Sequence, residues 1–136
     1  MTIVEMDLDV IEEIFSKTNE INSGYDRFDR SFFQISDDKS TAYAVVYDLR
    51  NNENDCPELA RFFVPSIYRN NGFGMSAAIY IINHIFNDRT QLLIDPVNSS
   101  VDFWGKVFES FGGSLDYEEI FYPKGIWHKC QRQLKN

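Results

Sequence analysis

Apolar residues recur along this chain at two spacings, and the switches between them mark out the elements. Val10, Ile11, Ile14 and Phe15 fall at helical spacing, and Asp9 with Glu12 has the form of a capping box, so a helix is predicted over Asp9–Asn19. Thr2–Met6 precedes it as a short strand; Asn22–Asp29, polar and carrying Gly24, follows as loop. Ser31–Ser36 and Thr41–Leu49 are rich in β-formers and flank Asp37-Asp38-Lys39-Ser40, which predicts an antiparallel hairpin. Arg50–Pro57, crowded with Asn and Asp, reads as loop, and Glu58–Val64 as a strand stopped by Pro65.

The clearest helix is Gly72–Asn87, where Met75, Ile79, Ile82 and Phe86 form one apolar stripe. Gln91–Asp95 is a short strand of buried type, closed by Pro96. Ser99–Phe111 follows as a helix with Val101, Trp104, Phe108 and Phe111 on one face, ended by Gly112-Gly113. Two last strands, Ser114–Phe121 and Ile126–Leu134, are joined by Tyr122-Pro123-Lys124-Gly125. The order β-α-β-β-β-α-β-α-β-β predicts an α/β fold, a mixed sheet covered by helices. Its one strand–helix–strand crossover, Glu58–Asp95, should be parallel and right-handed.

At 136 residues this is one domain, spanning 1–136, with chain enough for a single core. Twelve Phe and seven Tyr exclude intrinsic disorder, since burying that much aromatic surface offsets the entropy of ordering. No apolar run reaches the roughly 18 residues of a membrane span, and Met1–Ile14 is too acidic for a signal peptide. Thirteen Lys and Arg against 21 Asp and Glu leave a net charge of −8. Met1–Arg30 holds eight of the acids, whereas Lys124–Asn136 carries Lys124, Lys129, Arg132 and Lys135 and no acid. So acidic a surface repels a phosphate backbone or an anionic membrane and attracts cations such as amines. Cys56 and Cys130 make neither a disulfide framework nor a metal cluster, so no metal is expected and a reducing cytoplasm is the simplest compartment.

The informative stretch is Phe62–Ala78, FFVPSIYRNNGFGMSAA. Arg69-Asn70-Asn71-Gly72-Phe73-Gly74 links a strand end to a helix start, where glycines let the backbone turn tightly and approach a ligand. The first helical N–H groups, unpaired beside the positive end of the helix dipole, suit a pyrophosphate. The glycines can equally do no more than start a helix. The pattern lacks the strand-adjacent glycine of a dinucleotide fingerprint and the Gly-Lys-Ser/Thr of a Walker loop.

Val64-Pro65, then Arg69-x-x-Gly72-x-Gly74 opening a helix, resembles the central motif of the GNAT acyl-CoA N-acyltransferase family. Leu92–Asp95, Pro96-Val97-Asn98 and Phe103-Trp104-Gly105-Lys106 look like its second cofactor motif, and the element order matches from about Met6 onward. The resemblance implies a mostly antiparallel sheet whose parallel fourth and fifth strands splay apart into a cleft. Backbone amides of Arg69, Asn70, Asn71, Gly72, Phe73, Gly74 and Met75 would hold the pyrophosphate of acetyl-CoA. Phe63 and Val64 would bond the pantetheine arm, with the Val64 N–H polarising the thioester carbonyl. Asn98 would also reach the pantetheine, Trp104 could pack on it, and Arg69 and Lys106 could meet the phosphates.

The implied chemistry is direct acetyl transfer from a thioester to a primary amine. A base must first free the amine's lone pair, a donor amide must hold the oxyanion, and an acid can protonate the thiolate. Glu58, eleven residues before Arg69, sits where some members carry a catalytic glutamate; a strand-edge glutamate is otherwise a solvated charge. Phe103-Trp104-Gly105 stand where many members place an acidic Tyr, so Tyr117, Tyr122 or water would have to substitute. The alternative is a GNAT-fold module that binds acyl-CoA or a protein partner without turnover; a plain α/β domain is a third reading. The acceptor, met by Leu8–Asp29 and Tyr117–Trp127, is expected to be a cationic small molecule or a protein amine. Homodimerisation is common in the family.

His84 lies nine positions from Met75, roughly 180° around the helix, and so should face away from the apolar stripe. His128 has no partner signal. Cys130 reads as a small buried hydrophobe, and Cys56, without basic neighbours, is a poor nucleophile.

Overall fold

The computed structural model describes residues 1–49, 51 and 55–130. Positions 50 and 52–54 of the expected 50–57 loop lie outside these. So do positions 131–134 of the expected last strand and the basic residues Arg132 and Lys135. Among the described residues, seven strands and three helices follow in the order β1 (Thr2–Met6), α1 (Leu8–Phe15), β2 (Arg30–Ser36), β3 (Thr41–Tyr47), β4 (Glu58–Phe63), α2 (Phe73–Phe86), β5 (Gln91–Ile94), α3 (Val101–Glu109), β6 (Leu115–Phe121) and β7 (Lys124–Lys129). Single 3₁₀ turns, Ser66–Tyr68 and Asn98–Ser100, precede α2 and α3.

The strands form one mixed sheet in the order β1-β2-β3-β4-β5-β7-β6. Every pairing is antiparallel except β4 with β5, which is parallel and registers at a single pair, Glu58 with Leu93. Beyond that pair the two strands diverge. An irregularity in the β3–β4 ladder contributes: Val45 faces Arg61 and Val46 faces Leu59, leaving Ala60 as an extra residue on β4. Such a bulge bends its strand and increases its twist.

Alternation along the strands divides the core between the two faces of the sheet. Phe33, Ile35, Ala42, Ala44, Val46 and Leu59 meet Ala77, Ala78, Ile81 and Ile82 of α2 and Trp104 and Val107 of α3. Phe32, Val45, Tyr47 and Phe63 meet Ile11 and Phe15 of α1 on the other face. Alanines on both sides of the α2 contact let the helix approach the sheet closely.

Several boundaries differ from those predicted. The first helix runs over Leu8–Phe15, with Asp7 at the N-cap and the Ile11 N–H donating to the Asp7 carbonyl. Asp9 therefore lies inside the first turn, and no Asp9–Glu12 capping box forms. The helix stops early because Lys17 and Thr18 bond back only three residues and the Ser16 hydroxyl donates to the Glu13 carbonyl. Polar side chains there compete with the helical ladder. The α2 stripe is wider than drawn: Ile82 and Phe86 are buried, whereas Met75 and Ile79 are half-buried. The final hairpin turns on Tyr122-Pro123 alone, and β7 begins at Lys124. His84 is exposed, its ring edge-on to Phe33, and Cys130 is buried as expected.

Candidate functional site

Two adjoining cavities open where β4 and β5 part. One, of about 750 Å³, lies over the start of α2 and is walled by Val64, Arg69, Asn70, Gly72, Gly74 and Met75. The other, of about 570 Å³, runs between the strand ends past Ala60, Arg61, Ile94 and Asp95 to Glu20 and Asn22, just beyond α1. Phe62, Phe63, Arg69, Ser100 and Phe103 line both, so the two make one cleft.

The turn into α2 is built as the glycine pattern requires. Asn70 and Gly72 both take positive φ, 66° and 85°, and Gly72 is the N-cap. Asn71 turns its side-chain oxygen inward to accept from the Phe73 N–H at 3.1 Å, and the Phe73 ring is buried in the core. Among the described residues, the next two amides, Gly74 and Met75, meet no acceptor. Both residues line the larger cavity, at the positive end of a 14-residue helix. That is the electrostatics of an anion site, and the adjoining cleft gives a long ligand somewhere to lie.

Arg69 holds this corner together. Its Nε donates to the Val64 carbonyl at 2.6 Å, its Nη2 pairs with Glu20 at 3.0 Å, and its guanidinium lies 5.6 Å over the Phe63 ring. The strand end, the turn and the segment after α1 thus meet in one side chain. With its charge partly answered by Glu20, the amides are left as the main anion donors.

Of the other residues singled out in the sequence, Trp104 is buried and lines the smaller part of the cleft. Asn98 is exposed and Lys106 lies on the outer side of α3; neither lines the cleft, whereas Ser99 and Ser100, just after Asn98, do. Glu58 sits at the closed end of the splay, in a separate cavity of about 290 Å³ with Arg27, Asp29, Tyr47 and Cys56. Burial pushes its carboxyl above the usual range; Arg27 opposes that shift and Asp95, on the cleft wall, adds to it. Arg27 is itself gripped by the buried Asp29 through two hydrogen bonds of 2.8 and 2.6 Å. Burial, reinforced by Glu58, pushes the Cys56 thiol up to about 11, which removes it as a nucleophile near neutral pH. Tyr117 and Tyr122 border a different pocket, behind Trp104, and among the described residues no tyrosine lines the cleft.

The sequence pointed to the segments Leu8–Asp29 and Leu92–Asp95 but did not single out Glu20, Asn22, Asp95 or Ser100 as cleft residues. Asp95, at the end of a strand whose partner diverges, had a readable signal of its own; which residues of the segment after α1 reach the cleft was decided by tertiary packing.

No protein-family model and no curated protein matches this chain. Among solved structures, it is similar in fold to an uncharacterized protein from Bacillus halodurans, with a TM-score of 0.54 and 14% identity over 79% of this chain and 62% of that one. A weaker similarity, TM-score 0.45 and 15% identity over 72% of this chain and 66% of the other, is to a Desulfovibrio desulfuricans protein provisionally described as a GNAT-family acetyltransferase. The chain thus spans about two thirds or less of each. Likeness at such identities is likeness of fold.

Proposed function

We propose that this protein transfers an acyl group, acetyl in the simplest case, from coenzyme A to a primary amine by direct attack. The observation that carries the reading is the cleft. A parallel strand pair held at one register opens onto a glycine turn whose Gly74 and Met75 amides are unengaged. A coenzyme with a pyrophosphate and an extended arm fits that combination: the anion at the start of α2, the arm along the end of β4 toward the gap between Phe63 and Ile94.

In this reading the amine nitrogen attacks the thioester carbonyl carbon. The C–N bond forms, the C–S bond breaks, and the amine proton passes to a base while the thiolate leaves with coenzyme A. The Val64 amide is the candidate oxyanion donor. Glu58 is the candidate base: its raised carboxyl is better matched to neutral pH than an ordinary one, and since it lines its own cavity its route to the amine runs through water. Asp95, on the cleft wall, is the carboxylate that would take its place. Glu20 is paired with Arg69, and Arg61 also lines the approach, so Asp95 is the carboxylate there left to favour a cationic acceptor.

Coenzyme A binding by calorimetry, and acetyl-CoA-dependent release of free thiol with a panel of amines, test the reading together. Binding with turnover supports it; binding without turnover leaves a coenzyme-binding module; no binding sinks both. Glu58→Gln should cut turnover at least tenfold with coenzyme affinity retained, and Asp95→Asn is the comparison. Unchanged turnover in Glu58→Gln removes Glu58 as the base.

A further inference from the structure

Behind Trp104 lies a pocket of about 230 Å³ that the proposed reaction does not use. Its walls come from α3, the end of β5 and the β6–β7 hairpin, and none of its lining residues is charged. Ile94, Pro96 and Trp104 are shared with the smaller part of the cleft, so the two spaces have a wall in common at the place where the strands part. Packed aromatic rings form the partition between them: Phe103 lies 5.0 Å from Trp104, Trp104 6.4 Å from Trp127, and Trp127 5.2 Å from Phe108.

Two glycines keep the pocket open. Val101, Trp104, Gly105 and Phe108 share one face of α3, and the exposed Gly105 lies at the rim of the pocket, where a longer side chain could reach over its mouth. Its missing Cβ would meet nothing within 4 Å. A glycine inside a helix costs about 0.5–1 kcal/mol against alanine, so the helix forgoes stability and leaves the space unfilled. On the opposite wall, Gly125 of β7 lets the Tyr117 ring lie against the strand where any Cβ would collide with it. The ring, itself partly exposed, then forms part of the lining.

We infer that this pocket receives the acyl chain of the coenzyme A thioester, and that the preferred donor carries an apolar acyl group of medium length instead of acetyl. The inference rests on the proposed transferase reading. The cleft's polar residues lie toward the segment after α1, so an amine approaches from there. The uncharged pocket lies under α3, across the wall of Ile94, Pro96 and Trp104, and an acyl chain long enough to displace the Trp104 ring would enter it. An amine-bearing acceptor would find no carboxylate in that pocket.

The test is titration calorimetry with coenzyme A, acetyl-CoA and hexanoyl-CoA on the wild-type protein and on Gly105→Leu, with tryptophan emission followed in parallel. Hexanoyl-CoA should bind at least about tenfold more tightly than acetyl-CoA, the lower end of what apolar pockets discriminate. It should also shift tryptophan emission beyond the change that acetyl-CoA produces at Trp104, which borders the cleft as well as the pocket. In Gly105→Leu the ratio of the two affinities should collapse toward one. A thermal melt no lower than wild type shows that variant folded; Gly105→Met replaces it if leucine proves disruptive. Equal affinities for the two thioesters, or a ratio unmoved by a folded Gly105 variant, overturn the inference while leaving the transferase reading intact. Failure of all three compounds to bind overturns both.

Discussion

Replacing Gly72 and Gly74 by alanine, one at a time, should move thermal stability in opposite directions. Gly72 has φ 85°, where an L residue costs about 1–2 kcal/mol even though a Cβ would meet nothing within 4 Å. Gly74 lies in the first turn of α2 without a left-handed φ, and its Cβ would touch Val64 Cγ2 at 3.5 Å and Phe103 Cε1 at 3.8 Å, ordinary contacts. Alanine there gains up to about 1 kcal/mol of helix propensity. Unfolding entropy near 2.1 cal/mol/K per residue makes 1 kcal/mol worth about 3.5 °C for a chain of 136 residues. Gly72→Ala should therefore melt about 3.5–7 °C lower, and Gly74→Ala unchanged or up to about 3 °C higher. Yet the Gly74 methyl stands between Val64 and Phe103, on the wall of the proposed coenzyme channel. Overpacking that costs about 1–3 kcal/mol weakens coenzyme A binding roughly 5- to 150-fold. Differential scanning calorimetry and binding titrations on the same samples read both quantities. A Gly74→Ala variant of normal stability and unchanged affinity would refute the placement of the coenzyme; one that melts several degrees low would refute the geometry of the turn.

Other outcomes follow from the same structure. Ile82→Ala, at a site with no exposed surface where α2 meets the sheet, should lose about 2–5 kcal/mol, read as a fall in the urea midpoint without a change in slope. The Asp37 carboxylate accepts from the Lys39 and Ser40 amides at 2.8 Å each, which holds its pKa below the usual carboxylate value. Its contribution is present above the unfolded carboxyl pKa and lost as pH falls through the lowered folded value. Asp37→Ala should thus melt lower than wild type at pH 7, the difference closing in acid; a difference independent of pH would refute the assignment. With its thiol near 11, Cys56 should react with iodoacetamide at pH 8 about a hundredfold more slowly than a free thiol, followed by mass spectrometry, and Cys56→Ser should leave any turnover unchanged.

Local chemistry fixed in the sequence accounts for the element order, because hydrophobic period and turn residues act over a few positions. The 41–47 strand and the 73–86 helix came from such patterns, and so did the turn before α2, where Asn70 and Gly72 are residue types that tolerate the positive φ the structure gives them. Boundaries slipped where side chains compete with the backbone, as at Ser16, or where packing widens a helix face, as at Met75. Tertiary structure alone decided that β7, not β6, lies against β5, since the pattern of a hairpin does not say which of its strands faces inward. It also decided which carboxylates border the cleft. Glu58 and Asp95 are 37 positions apart in sequence, and only the divergence of β4 from β5 leaves one in a separate cavity and the other on the cleft wall. The space beneath α3 is likewise invisible in the sequence: a glycine in a helical stripe reads as a local weakness until the facing strands show what it leaves open.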